Sequence, residues 1–444
     1  MTTPEVPAMR PGKRAPPKLD LRALLASPPS ARLSAEGSSS IGTATRRTHP
    51  TEIVDAHIHL WTATQLERGE MRWQAAQGGL KQLSGPHELE AYRVVSQEGV
   101  KLVGGGRTRH AGVVYVQAEA NRDDTDEDGS QGGWDAAVNE VESVCAAALS
   151  TGSNLVALVP WAPVQHGRAA LQLYIPRLLA CPSLVSLSET LGYQPIKGFR
   201  YLLQDSPPRF FHTDQFMDGF RYLGETGYSF DMTLDVTHEE TGKTKILDDA
   251  IVAIERTREG QDAAQQTCFI LDHFAKPPLT ADLSHPTPPH FNAYLDGLFQ
   301  LALLPHTYLK LSALLDSADK PTAQAAFSEF RSGDYKKRRR EGAYERLKAR
   351  ILGVLEPAIE AFGDERILVG SDWPMFRATL LADSVTSPSP NHCAAASAEE
   401  EAAAWAFEMQ LYLDCLVHLG LDGDAIDRIF AGNARRAYNL SINP

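Results

Sequence analysis

The feature that most constrains the fold is an alternation of short strand-like runs with helix-like stretches. Eight runs are rich in β-branched and aromatic residues, at 53–61, 111–118, 154–161, 196–203, 228–236, 267–273, 307–311 and 366–372. Between them, apolar residues recur with helical spacing at 134–149, 168–179, 213–225, 247–258, 291–304, 343–361 and 402–419. Eight strands alternating with helices predict an α/β fold, a closed (β/α)8 TIM barrel.

An open, doubly wound sheet is the alternative for the same order of elements. Its nucleotide-binding form carries a Gly-rich phosphate loop after the first strand, and this chain has no such loop there. Three connections, 62–110, 119–133 and 374–400, are longer than ordinary loops. The predicted barrel is therefore distorted by long loop insertions, and we expect the first insertion to contain a helix of its own.

Composition limits the classes of partner. The 444 residues are 43% hydrophobic and 22% charged, as in soluble globular enzymes, and the net charge of −13 argues against nucleic acid. Five cysteines without a CxxC pair indicate a reduced, intracellular chain, and no apolar run approaches the length of a membrane span. We therefore expect a cytoplasmic protein with a small-molecule substrate and no nucleic-acid or membrane partner; the sequence leaves the oligomeric state open.

The first 48 residues differ from the rest of the chain. They are dominated by Pro, Ser, Ala and Arg, with eight basic residues against three acidic ones. This composition predicts a disordered N-terminal tail at 1–48, followed by a single barrel domain at 49–444. A mitochondrial transit peptide is the alternative, because Arg and Ser are present and acids are few.

The first strand carries two histidines in the run DAHIHLW at 55–61. A period of two places Asp55, His57, His59 and Trp61 on one face and apolar residues on the other. His57 and His59 would then lie roughly 6–7 Å apart by strand rise, which leaves room for one metal ion or one substrate oxygen between them. The alternative is that both are hydrogen-bonded core histidines.

Polar residues gather where several predicted strands end. The carboxyl ends of the strands form the active-site face of a TIM barrel. The polar residues at these ends are His57, His59, Gln117, Glu119, Arg200, Asp272, His273 and Asp372. An apolar barrel has no need of such a set, so the convergence predicts a catalytic or binding site at the barrel mouth.

The same segments resemble the amidohydrolase superfamily, in particular the amidohydrolase-2 branch that includes sugar-lactone and 2-pyrone-4,6-dicarboxylate lactonases. The matching segments are DAHIHLW at 55–61, VYVQAEA at 114–120, IKGFRYLLQ at 196–204, LDHFAKPP at 271–278, KLSAL at 310–314, GSDWP at 370–374 and IFAGNARRAYNL at 429–440. The resemblance implies a hydrolase that opens an aldonolactone or a dicarboxylate lactone by water attack. One departure is Ala275, where the family usually has Gly.

The resemblance also implies roles for individual residues. His57, His59 and His273 would surround the scissile carbonyl, and Asp372 would handle the water. Arg200 would hold a carboxylate or hydroxyl of the substrate, although a structural ion pair is its alternative role. The predicted substrate-binding residues are Arg200, Gln117, Trp61 and Trp373, with the two tryptophans either walling the pocket or plugging the barrel.

Two cofactor alternatives stay open at this point. If a metal is present, His57, His59 and Asp372 are its predicted ligands, and nitrogen and carboxylate donors suit Zn. The branch also includes members that work without metal, so one divalent ion or none are the alternatives. A binuclear centre is not favoured, because Lys197 is predicted to lie on the face opposite Arg200.

Two rival functions also follow from the sequence. A metal-dependent non-oxidative decarboxylase of the same superfamily would use the same histidines and aspartate. A non-catalytic barrel that only binds is the other rival. The intact set of His57, His59, His273 and Asp372 argues against the second, since a decayed site should have lost at least one of them.

Overall fold

The computed structural model describes residues 47–72, 83–152, 154–204, 206–207, 209–238, 245–279, 289–337, 341–381 and 397–440. By compactness the chain divides into two units, residues 1–45 and 46–444. The predicted tail lies almost entirely outside the described residues, so both interpretations of it stay predictions. Within the described residues, no single helix is long and apolar enough to cross a membrane, although one bent pair, Val164–Leu179 with Pro182–Leu191, meets the criteria of length and composition.

All eight predicted strands are present and parallel to their neighbours. Their bounds are β1 Glu52–Ile58, β2 Arg109–Val116, β3 Leu155–Val159, β4 Gly198–Leu202, β5 Ser229–Thr233, β6 Phe269–Leu271, β7 Thr307–Leu311 and β8 Ile367–Val369. They pair in chain order as β1-β2-β3 and as β4-β5-β6-β7-β8.

Backbone hydrogen bonds join the two sheets at both seams. Between β3 and β4, the Arg200 amide donates to the Pro160 carbonyl at 2.9 Å. Between β8 and β1, the Asp372 amide donates to the His57 carbonyl at 2.8 Å. The strands therefore close on themselves, which confirms the predicted TIM barrel and excludes the open sheet.

Helices surround the barrel and include every one predicted from apolar spacing. In the described residues they are α1 Ala63–Glu67, α2 Leu89–Gly99, α3 Asp135–Thr151, α4 Gly167–Leu179, α5 Pro182–Leu191, α6 Asp214–Glu225, α7 Lys245–Arg258, α8 Pro289–Ala302, α9 Lys320–Ser332, α10 Ala343–Phe362, α11 Arg377–Leu380, α12 Ala398–His418, α13 Gly423–Asp427 and α14 Asn433–Ala437. The described part of the first insertion contains α1 and α2, so the helix expected there is present.

The strands alternate between two packed layers. One set of side chains, such as Phe199, Phe230 and Leu309, packs outward against the helices. The other set fills the barrel interior, where apolar residues of β1, β2, β3, β6, β7 and β8 cluster with Tyr438 from the C-terminal segment. Toward the carboxyl ends of the strands, the interior becomes polar, with Asp231 and other charged residues buried there.

The prediction that Asp55 lies on the same face of β1 as His57 is wrong. The pairing of β1 with β2 shifts register between Ile53 and Val54 and again between Asp55 and Ile58, so the strict period of two is lost. Val54 belongs to the interior cluster, whereas the Asp55 carboxylate accepts a hydrogen bond from Trp405 of α12, on the helix side. The irregularity is what turns His57 toward the barrel interior.

Candidate active site

His57, in β1, and His59, directly after it, lie side by side at the barrel mouth. Their Nε2 atoms are 3.2 Å apart, and His59 Nδ1 lies 3.0 Å from the Val116 carbonyl oxygen. Strand β8 approaches His57 closely: a Cβ on Gly370 would lie 2.8 Å from the His57 Cβ. The glycine of the GSDWP segment is therefore what allows β8 to carry its next residues to the histidines.

Asp372 completes this cluster from β8. Its Oδ1 lies 3.1 Å from His59 Nε2, 3.4 Å from His57 Nε2 and 4.0 Å from His273 Nε2. This oxygen is buried and receives no hydrogen bond from any described residue. Burial acts to raise the pKa of Asp372, but the imidazoles of His273, His59 and His57 outweigh it and hold the pKa below the usual carboxyl range. At neutral pH the site therefore contains an ionised, under-solvated carboxylate.

His273 reaches the cluster through a left-handed turn. Four consecutive residues, His273 to Lys276, have φ between 52° and 57°. Each non-glycine residue in this conformation costs roughly 1–2 kcal/mol, and such strain is concentrated at functional sites. The turn places His273 Nδ1 2.8 Å from Ser312 Oγ, and burial lowers the pKa of His273 to about 4. His273 is therefore neutral near pH 7.

A buried lysine that sequence reasoning missed lies beneath the histidines. Lys310, in β7, is fully buried, and its Nζ is 2.6 Å from Asp231 Oδ2, 2.9 Å from Asp272 Oδ1 and 3.0 Å from His57 Nδ1. Burial opposes its charge, but Asp231 and Asp272 outweigh burial and raise the pKa of Lys310. A lysine within the otherwise apolar run TYLKL at 307–311 was the available signal.

Arg200 is placed at the mouth but is engaged inside the protein. Its Nε donates to Thr233 Oγ1 at 2.8 Å and lies 3.4 Å from Asp272 Oδ2. The same guanidinium donates to the Gln117 carbonyl at 3.2 Å. The Gln117 side chain donates to Glu119 Oε1 at 2.5 Å and accepts from the Glu119 amide at 2.7 Å. The substrate-binding roles of Arg200 and Gln117 stay predictions. Both side chains already form hydrogen bonds within the protein.

The structure places both predicted tryptophans in packed layers. Trp373 is fully buried in the outer layer, and its Nε1 donates to Glu401 Oε2 at 3.3 Å. Trp61 Nε1 donates to the Gly85 carbonyl at 2.8 Å. The side chain of Trp61 packs in a small apolar cluster with Met71, Leu83 and Ala118. Of the two alternatives for these tryptophans, this packing favours structural plugs over pocket walls.

The donor set fits a single divalent ion. Ligand atoms of His57, His273 and Asp372 lie within 4.8 Å of one another, and His59 Nε2 adjoins them. Tetrahedral ligands at about 2.0–2.1 Å from Zn are separated from one another by about 3.3 Å, close to the shortest spacings here. The Asp372 oxygen that receives no hydrogen bond would supply the negatively charged ligand. Lys197 Nζ instead lies over the Tyr193 ring at 5.0 Å, which offers nothing to a binuclear centre.

Comparisons with known proteins agree with this architecture. A model of the amidohydrolase family matches residues 54–381. An L-rhamnono-gamma-lactonase from Scheffersomyces stipitis is 24% identical over 405 residues, covering 88% of this chain and 99% of the relative. An L-fucono-1,5-lactonase from Burkholderia multivorans is 28% identical over 195 residues, covering 43% of this chain and 53% of the relative.

Solved structures share the fold. A zinc-bound amidohydrolase from Burkholderia multivorans superposes with a TM-score of 0.54 at 19% identity, covering 87% of this chain and 99% of the neighbour. The family match spans most of the chain and includes His57, His59, His273 and Asp372. It confirms the resemblance carried by the sequence motifs: this chain belongs to the amidohydrolase family.

Proposed function

We propose that this protein is a lactonase that opens the ring of a sugar-acid lactone with water. Its family and its two lactonase relatives support the reaction class. The observation that carries the proposal is the Asp372 carboxylate. One of its oxygens is buried without a hydrogen-bond donor among the described residues and lies within 4.0 Å of three imidazole nitrogens. Such an oxygen is suited to accept a proton from water.

The reaction follows from the groups around that oxygen. Asp372 accepts a proton from a water molecule, and the water oxygen attacks the lactone carbonyl carbon. Imidazole N–H groups of the cluster stabilise the negative charge that develops on the carbonyl oxygen. The bond between the carbonyl carbon and the ring oxygen then breaks, and Asp372 returns its proton to that ring oxygen. The product is a hydroxy acid, which releases one proton to solvent.

A divalent ion, which we propose to be Zn, would be held by His57, His59 and Asp372, with His273 beside it. When bound, it supplies a Lewis acid that polarises the carbonyl. The relative bound to zinc makes this metal the first to test.

Charge at the mouth favours a neutral polyol lactone over a dicarboxylate. The Arg200 guanidinium lies 3.4 Å from Asp272, and Lys276 Nζ lies 3.6 Å from Asp235. Lys310 is paired with two carboxylates. Each of these cations is already paired with a carboxylate of the protein. A substrate with two negative charges would also be repelled by Asp372.

An assay of the purified protein with a pH indicator tests this proposal. The substrates are L-rhamnono-γ-lactone, L-fucono-1,5-lactone and 2-pyrone-4,6-dicarboxylate. We expect proton release above the spontaneous rate with a sugar lactone, and none with the Asp372→Asn variant. Activity on the dicarboxylate alone would overturn the substrate class. Inactivity on all three, with metal-dependent release of CO2 from a hydroxybenzoate, would instead support the decarboxylase alternative.

A further inference from the structure

A second group of potential metal ligands lies directly beneath the first, and a lysine occupies it. Ligand atoms of His57, Asp231 and Asp272 lie within 4.8 Å of one another, all buried. Lys310 Nζ lies among them, 2.6 Å from Asp231 and 3.0 Å from His57 Nδ1. His57 therefore faces the mouth cluster with one ring nitrogen and the lysine with the other.

Hydrogen bonds indicate which nitrogens of His57 and His59 carry a hydrogen when no metal is bound. The Val116 carbonyl can only accept, so His59 Nδ1, 3.0 Å away, carries a hydrogen. His59 Nε2 lies 3.2 Å from His57 Nε2 and 3.1 Å from Asp372 Oδ1. The ammonium of Lys310 can only donate, and its Nζ lies 3.0 Å from His57 Nδ1. In neutral His57 the lone pair therefore lies on Nδ1 and the hydrogen on Nε2.

Metal binding requires the opposite tautomer of His57. A nitrogen that carries a hydrogen cannot ligate a metal, so Nε2 must transfer its hydrogen to Nδ1. Asp272 Oδ1, 3.3 Å from Nδ1, can accept the hydrogen bond from the new N–H. The ammonium of Lys310 would then face that N–H at 3.0 Å, placing one donor against another.

We propose that Lys310 is a positioning residue that holds His57 in its Nε2–H tautomer and thereby weakens the affinity of the site for a divalent ion. In this tautomer His57 directs an N–H toward His59 at the barrel mouth, where it can stabilise charge on a substrate without metal. The inference rests on the site of the proposed function but not on which substrate is hydrolysed. Its tests require no turnover, so this inference and the proposed function can be refuted independently of each other.

The direct test is ¹⁵N NMR of histidine-labelled wild-type protein, stripped of metal, at pH 8. We expect His57 as the Nε2–H tautomer and His59 as the Nδ1–H tautomer, with His57 assigned from the spectrum of a His57→Gln variant. Adding Zn should convert His57 to the Nδ1–H form. A metal-free protein in which His57 already carries its hydrogen on Nδ1 would overturn the proposal.

Zn affinity, measured by competition with a chelator, gives the second test. The double variant Lys310→Met/Asp231→Asn removes the donor while leaving the net charge unchanged. Because a hydrogen bond from a charged group is lost, we expect roughly tenfold or greater tightening of Zn binding. Lys197→Met is the matched control and should bind Zn as the wild type does. An unchanged affinity in the folded double variant would contradict the proposal, and if that variant does not fold, the wild-type NMR spectrum decides.

Discussion

Two buried aspartates on opposite sides of the seam between β1 and β8 have very different surroundings. Asp55, on the helix side, accepts hydrogen bonds from the Tyr92 hydroxyl at 2.7 Å and the Trp405 indole at 3.0 Å. It also accepts from the Ser371 hydroxyl and amide, at 2.6 and 2.8 Å. Asp372, on the mouth side, has an oxygen to which no described residue donates.

The number of donors separates a structural carboxylate from a reactive one. The donors around Asp55 satisfy both oxygens and fasten β1 to β8 through Ser371, the residue that precedes Asp372. Burial raises the pKa of Asp55, and its donors only partly offset this. At Asp372 imidazoles outweigh burial, so the pKa is lowered instead. Equal burial therefore leads to opposite behaviour.

The largest expected effect on stability is at Asp55. Asp55→Asn replaces one acceptor oxygen by an NH2 group that faces existing donors, and the loss should be about 2–4 kcal/mol of unfolding free energy. Asp372→Asn should cost less than Asp55→Asn, because it loses the attraction of the nearby imidazoles but leaves no buried donor facing an NH2 group. Denaturant unfolding of both variants checks this difference, and equal losses would remove the distinction between the two carboxylates.

The buried side chain of His87 extends the comparison to the pH dependence of stability. Burial, with a smaller effect of Arg377, lowers the pKa of His87 from 6.5 to about 3. The unfolded chain binds this proton below pH 6.5 and the folded chain does not, so stability falls as pH decreases from 6.5 to about 3. His87→Phe should reduce that slope by up to about 1.4 kcal/mol per pH unit. Unfolding measured at several pH values tests this, and an unchanged slope would show that His87 is protonated in the folded protein.

The smallest expected effect concerns the left-handed turn that carries His273. Ala275 has φ +57°, a conformation that glycine adopts without strain. Ala275→Gly should therefore stabilise the protein by up to about 1 kcal/mol. Ala326→Gly, in the middle of α9, is the matched control and should destabilise it by about 0.5–1 kcal/mol. Thermal unfolding distinguishes them, and destabilisation by both would show that the turn is not strained at Ala275.

Much of the architecture could be predicted from local pattern. Eight apolar runs alternating with helical spacing are sufficient for a closed barrel, because each strand and helix is specified by its own residues. The convergence of His57, His59, His273 and Asp372 followed, since the carboxyl ends of parallel strands meet at one face. The structure brings these four residues together as expected.

What could not be predicted depends on partners far away in sequence. The register shifts of β1 arise from its pairing with β2, so the period of two misplaced Asp55. The left-handed turn at His273 is held by the surrounding barrel against local preference. The network of Lys310 joins β1, β5 and β7 with Asp272, the residue after β6, and no spacing within one strand reveals such a set.

The central claim is that Asp372 is the base that activates water. Asp372→Asn keeps the size of the side chain and tolerates the φ of +53° but removes the proton acceptor. On whichever sugar lactone the wild type opens, kcat should fall by about 10²–10⁴-fold, with circular dichroism unchanged. If the folded variant keeps more than about a tenth of the wild-type kcat, well above the general-base expectation, Asp372 is not the base.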